Sequence, residues 1–196
     1  MLKHLPEVAI DRLVLIYTAC IVLGYTPKSW RKSRTVFIPK PGREDYSIAK
    51  SFRPISLTSF CFKTLERLVL WHLERTTFRT NPIHERQHAF RKGHSTDLAL
   101  SQVTNRIESA IMQNKVALAT FLDIKGAFDN LNTDSAVKAM KGHRIDRAII
   151  RWYEHYLRNR VSSAEYGHRK RERLLTWGTP QGGVLSPILW NLAFDS

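Results

Sequence analysis

Apolar residues in this chain recur at two periods, and the switches between them mark out the elements. After Pro6, the residues Val8, Ile10, Leu13, Val14, Tyr17, Cys20 and Ile21 are expected on the inward side of one helix. A proline at its start suits a position where the missing N–H is not needed. The stretch from Gly24 to Trp30 interrupts the helix. RTVFIPK, from Arg34 to Lys40, has the β-branched and aromatic content of a short strand. PGRED (Pro41 to Asp45) supplies a turn, and SFRPISL (Ser51 to Leu57) returns as the partner strand, with Pro54 confining it to an edge. Helical spacing resumes from Phe60 to Glu74 through Phe62, Leu65, Leu68, Val69 and His72. It appears again from Asp97 to Gln113, where Ala99, Val103, Ile107, Ala110 and Ile111 form a stripe and Ser95 or Thr96 stands at the capping position.

ALATFLD, ending at Asp123, predicts another strand, and the segment after Asp129 a helix to about Lys141. Asp146 to Leu157 predicts an aromatic-rich helix. Val161 to Tyr166 and Arg173 to Trp177 read as a hairpin joined by a charged, exposed loop, GHRKRER. No internal repeat or low-complexity tract interrupts the pattern. The expected fold class is α+β, with helices packed on an antiparallel sheet.

Charge narrows the function. Thirty-one basic residues against 17 acidic ones give a net charge of +14 and a pI near 10.2. So basic a chain seeks polyanions, and nucleic acid is the expected partner rather than a membrane. Basic clusters lie at Lys28 to Arg34, Arg91 to Lys92 and Arg169 to Arg173. The apolar fraction of 43% is enough for a real core, which excludes a disordered tail. Cys20 and Cys61 stand alone without C-x-x-C spacing, so neither a disulfide framework nor a zinc-thiolate site is expected, and an intracellular, reducing location is. The apolar run from Leu13 to Tyr25 is too short to span a bilayer and lacks a small-residue cleavage site, which favours a packed helix over a targeting segment.

Two strings carry the chemistry. FLDIKGAFD (Phe121 to Asp129) brings a single carboxylate, Asp123, to the end of an apolar segment, with an aromatic, Phe128, five residues on. GTPQGGVLSP (Gly178 to Pro187) brings a Pro-Gln-Gly-Gly turn to the start of an apolar helix. Together they resemble the palm of a reverse transcriptase, most nearly those of non-LTR (LINE-like) retrotransposons, and the resemblance covers nearly the whole chain. It implies a right-hand polymerase, with fingers over residues 1–117 and a partial palm over 118–196, that copies an RNA template into DNA from a DNA primer and deoxynucleoside triphosphates. It also implies two Mg²⁺ ions, with Asp123 and the backbone carbonyl of Ile124 as one half of their site. Lys40 and Arg53 correspond to residues that hold the incoming triphosphate. Phe128 corresponds to the plate beneath the sugar that excludes the 2′-hydroxyl, and Gln181 with Gly182 to the turn at the nucleotide. AFRKGHST resembles a segment that lies along the template. Ala89 stands where Gly is usual, Phe52 where Tyr is usual, and Lys125-Gly126 where a small polar residue and Ala are more familiar. The aromatic-Ala-Asp-Asp strand of such palms is absent from these 196 residues, so the chain is expected to be a fragment, inactive by itself.

Several residues have plainer readings. A lone Asp after a strand is more often a cap or turn residue, a description that suits Asp129, ahead of a helical stretch, better than Asp123. Phe128 could be core, and Lys40 part of a solvated hairpin. A non-catalytic remnant that binds RNA through its basic surface is the alternative function. His84-Glu85-Arg86-Gln87-His88 also satisfies H-E-x-x-H, the zinc metallopeptidase signature, with His94 six residues on. Arg91 stands where that signature needs Gly, and Arg86, Arg91 and Lys92 would crowd a dication, so the match is expected to be fortuitous.

Overall fold

The computed structural model describes residues 5–195, apart from the side chain of Tyr166. Helix α1 (Glu7–Leu23) begins after Pro6 and stops at Gly24, whose φ of 63° is a left-handed value that glycine adopts without a Cβ clash. Tyr17 and Cys20 are buried and Leu13 and Ile21 partly so, as the spacing predicts, but Val8, Ile10 and Val14 face solvent. α1 packs mainly on helix α7 (Arg147–Asn159), and its Tyr17 hydroxyl donates to the Cys61 carbonyl at 3.1 Å, so a helix apolar nearly all round still leaves Leu15, Val22 and Leu23 uncovered as well.

The basic hairpin forms as expected. Strands β1 (Lys32–Pro39) and β2 (Phe52–Leu57) pair antiparallel, with Val36 opposite Ile55 and Ile38 opposite Arg53. Ser56 donates its N–H away from β1, to the Gln181 carbonyl at 2.7 Å. Pro54 shares that outward parity, so its missing N–H removes no ladder bond.

The sheet differs from the expected antiparallel one. Its order is β2-β1-β3-β4, in which β3 (Arg160–Tyr166) runs parallel to β1 and β4 (Arg169–Leu175) closes antiparallel on β3. Most of the string read as a charged loop is therefore strand. Gly167, at φ 56°, and His168 alone make the turn, a two-residue hairpin connection that lets pairing begin at Tyr166 and Arg169.

Residues 117–123 form no strand. Leu118, Phe121 and Leu122 are all about nine-tenths exposed. Their β-rich composition describes a strand, yet a strand needs a ladder partner, and no described strand borders this segment. Helix α4 (Thr96–Met112) forms and is capped by Ser95, whose hydroxyl accepts the Leu98 N–H at 3.1 Å, but none of its residues is buried. Its apolar stripe fixes the element while Ala99, Ile107 and Ala110 are only half-buried.

The core lies among α2 (Phe60–Arg75), α6 (Thr133–Gly142), α7 and α8 (Ser186–Phe194), with short turns α3 (Thr77–Thr80) and α5 (Ala127–Asn130) at its margins. Phe62 packs on Tyr156 with ring centroids 4.1 Å apart and on Trp152 at 5.7 Å. Leu65, Val69 and Leu73 follow Phe62 into this core, while Leu68, one step round the helix, is exposed. Asp146 caps α7 by accepting the Ala148 N–H at 2.7 Å, and Asn132 caps α6 through the Asp134 N–H at 2.9 Å. Among the described residues no helix is long and apolar enough to cross a membrane.

One carboxylate sits within this core. Glu66 is fully buried and accepts the Tyr153 hydroxyl (3.1 Å) and the Leu185 N–H (3.4 Å) on one oxygen and the Val184 N–H (3.0 Å) on the other. Burial pushes its pKa from 4.5 up to about 7, against the pull of those three donors and of Lys63. The folded protein therefore binds the Glu66 proton more tightly than the unfolded chain does. The associated stability is present in full below pH 4.5 and is lost as the pH rises through about 7. Glu66→Gln keeps an acceptor for the amides and has no charge to bury. Between these pH values the wild type is expected to lose on the order of 3 kcal/mol relative to the variant in denaturant melts; parallel pH profiles for the two proteins would show that Glu66 does not titrate in this way.

Candidate functional site

The Pro-Gln-Gly-Gly turn is irregular backbone between β4 and α8, and irregular backbone holds a shape only if its polar groups are tied down. Five separate segments do so. The Arg160 guanidinium, at the start of β3, donates to the carbonyls of Trp177 and of Gly178, the latter at 2.7 Å. Thr179 donates its N–H to the Phe128 carbonyl at 2.7 Å, and the Gln181 carbonyl receives the Ser56 N–H. Ser186 at the head of α8 donates its hydroxyl to the Pro180 carbonyl at 2.8 Å, and Glu66 takes the amides of Val184 and Leu185. A Cβ on Gly178 would lie 2.7 Å from the Asp129 carbonyl oxygen, and one on Gly182, at φ 110°, 2.9 Å from that of Ser56. At both positions backbone approaches backbone too closely for any side chain.

This turn gathers several of the residues singled out in the sequence. Gln181 and Gly182 lie against the outer edge of β2, three residues along from Arg53. Arg53 sits opposite Ile38 and projects to the same side of the hairpin as Lys40, whose N–H is bonded to Ser51 at 2.8 Å. Arg53 is exposed, and the Lys40 ammonium donates to the Lys50 carbonyl at 2.9 Å. Phe128, in α5, is half-buried outside the main core and meets Phe90 edge-on at 6.0 Å, which brings the AFRKGHST segment beside it.

Asp123 is not drawn into this cluster. It lies with Ile124 on the exposed, unpaired segment, and among the described residues its carboxylate makes no hydrogen bond or ion pair. No group of three His, Cys, Asp or Glu side chains among the described residues could hold a metal ion. One carboxylate and one carbonyl are fewer donors than Mg²⁺ requires, so these residues do not by themselves complete a site for it. Asp129 lies within α5, and the cap of the following helix is Asn132.

The zinc-peptidase reading fails on geometry. Residues 84–88 are turns and coil, so the two histidines do not share a helix face. His84 donates its N–H to Asp195 at 3.0 Å, while His88 faces His94 and Gln102, each at 3.2 Å.

Three supporting residues escaped the sequence reading. Glu66 follows Phe62 by four residues and precedes Val69 by three, so an acid on the apolar stripe was its visible signal. Buried Asn191 donates to the Ala89 carbonyl at 2.7 Å and tethers the segment bearing Phe90 to α8. Arg160 gave no signal, since nothing in one sequence separates a buried arginine from its exposed neighbours.

The profile of the reverse transcriptase (RNA-dependent DNA polymerase) family matches residues 38–196. The chain is 32% identical over 196 residues to a probable RNA-directed DNA polymerase from transposon BS of Drosophila melanogaster, covering 97% of the chain and 21% of that protein. It is 30% identical over 194 residues to the RNA-directed DNA polymerase from mobile element jockey of Drosophila funebris, again covering 97% of the chain and 21% of the relative. To the probable polymerase from transposon X-element of Drosophila melanogaster it is 31% identical over 192 residues, with the same coverage. The chain thus spans about a fifth of the length of these relatives. With a family match over most of its length and relatives among non-LTR retrotransposon polymerases, the chain belongs to the reverse transcriptase family.

Proposed function

We propose that this chain forms the fingers (residues 1–117) and part of the palm (118–196) of a polymerase that acts inside the cell, copying RNA into DNA from a primer and deoxynucleoside triphosphates. The observation that carries the reading is the convergence on one turn: Gln181 bonds the strand bearing Arg53, and Thr179 bonds Phe128. Three strings far apart in sequence are thereby tied to one turn.

Each residue has a role in that reading. Lys40 as a compact charge and Arg53 as a planar fork neutralise the triphosphate. The Phe128 ring underlies the sugar where a 2′-hydroxyl would project. Gly182, lacking a side chain, lets the turn close against the Ser56 backbone of β2 and so holds Gln181 at the nucleotide. Asp123 and the Ile124 carbonyl would contribute to holding Mg²⁺, the rest of the coordination coming from phosphate oxygens, water and further carboxylates. Bound there, the ions of a two-metal site would offset charge on the attacking and leaving oxygens. The alternative, an RNA-binding remnant without catalysis, has the same basic surface and parts from this reading at Asp123.

Carried in a full-length polymerase, Asp123→Asn is expected to abolish primer extension while leaving the melting temperature unchanged; retained extension would remove Asp123 from the chemistry. The isolated 196-residue chain is expected to extend no primer with Mg²⁺ or Mn²⁺, and labelled nucleotide incorporation above an Asp123→Asn control would contradict that. Phe128→Val tests the sugar plate. In the full-length enzyme it is expected to relax rejection of ribonucleotides. A core role predicts instead an unchanged sugar ratio with roughly 1 to 3 kcal/mol lost from stability.

A further inference from the structure

Because GHRKRER is largely strand and not loop, its charges are sorted by the pleat, and the sorting is one-sided. Residues that pair across a sheet share a face, and successive residues alternate. One face carries Lys32, Arg34, Glu165, Lys170 and Glu172. There the two carboxylates of the four strands pair with three of the cations: Lys32 with Glu172 at 3.7 Å, Arg34 with Glu165 at 3.3 Å, and Lys170 with Glu172 at 3.5 Å. The other face carries Arg169, Arg171 and Arg173 in a line along β4, all exposed, and among the described residues no carboxylate pairs with any of them. Beside Arg173 and Arg171, β1 and β3 present small side chains, Ser33 and Ser162 next to the first and Thr35 and Ala164 next to the second, while Arg169 pairs with Tyr166 at the turn end of the hairpin. Thr35 and Ser162 join their hydroxyls at 2.5 Å.

We propose that this face is a docking rail for single-stranded RNA, separate from the nucleotide site and outside its chemistry. Alternate residues of a strand repeat at about 6.8 Å, on the scale of the step between successive phosphates of an extended single strand, so three collinear guanidinium groups can each meet one phosphate. A duplex backbone curves away from such a line. The floor of small side chains lets the sugar-phosphate chain lie close to the sheet, and its hydroxyls are suited to ribose 2′-hydroxyls as both donors and acceptors. The separation from the nucleotide site follows from topology. β4 is the edge opposite β2, three strand spacings or about 14 Å away, and Arg53 projects from the other face.

The pleat supplies a matched control, because two triple variants on the same sheet remove equal charge from opposite faces. Binding of a labelled uridine oligomer of about 20 nucleotides is followed by fluorescence anisotropy between about 50 and 200 mM salt. Arg169→Gln/Arg171→Gln/Arg173→Gln is expected to weaken binding tenfold or more and to flatten the logarithmic salt slope by about 2, the value for three lost contacts to a single strand. Lys32→Gln/Arg34→Gln/Lys170→Gln is expected to change affinity less than about threefold, since those cations already have partners. Equal losses in the two triples, or no loss in the first, would overturn the rail. A deoxyuridine oligomer is expected to bind the wild type more weakly; equal affinity for it would overturn the assignment to RNA. Single Arg171→Gln, expected to lower the slope by about 0.7, serves if the triple fails to fold.

Discussion

The geometry of the candidate site depends on how one irregular turn is fixed. Residues 178–185 form neither helix nor strand, so each buried amide and carbonyl needs a partner brought from elsewhere. α2 supplies a buried carboxylate, β2 an amide, α5 a carbonyl and the start of β3 a guanidinium. The same bonds set the positions of the partners. Glu66 ties α2 to the head of α8 and, through Tyr153, to α7, so the core and the site share one hydrogen-bond network. A carboxylate is a demanding choice for this place, because burial raises its pKa to about 7 and so couples the turn to the proton concentration near neutrality.

Local rules accounted for the elements better than for their surroundings. Pro6 and Gly24 bracket α1, Ser95 and Asp146 cap α4 and α7, and Pro54 marks an edge, each because one residue's own chemistry decides the outcome. The failures share the opposite property. ALATFLD has the composition of a strand but no described partner, and the stripe on α4 has helical spacing but none of its residues is buried. Periodicity reports what a segment can bury, not whether anything is there to bury it against. GHRKRER failed the other way, since its charges suggested a loop while pairing with β3 made it a strand whose polar side chains both faces tolerate.

The site was partly legible for the same reason. Gln181, Gly182 and Phe128 stand in compact strings and converge, and Lys40 and Arg53 share one side of a hairpin. Glu66, Arg160 and Asn191 also hold that arrangement but act across 17 to 119 residues of sequence, where one chain gives no register. Asp123 is the clearest example of a residue singled out by its string and left exposed by the fold. Among the described residues its carboxylate makes no hydrogen bond that would fix its position relative to the turn.

Amide hydrogen exchange, followed residue by residue, tests the central claim that the turn is held by Glu66 and by the β2 edge. The account predicts that the amides of Ser56, Thr179, Val184 and Leu185 exchange only through global unfolding. In Glu66→Ala those of Val184 and Leu185 should become fast while those of α6 stay protected. Fast exchange at these four amides in the wild-type protein, or protection of Val184 and Leu185 unchanged by Glu66→Ala, would contradict it.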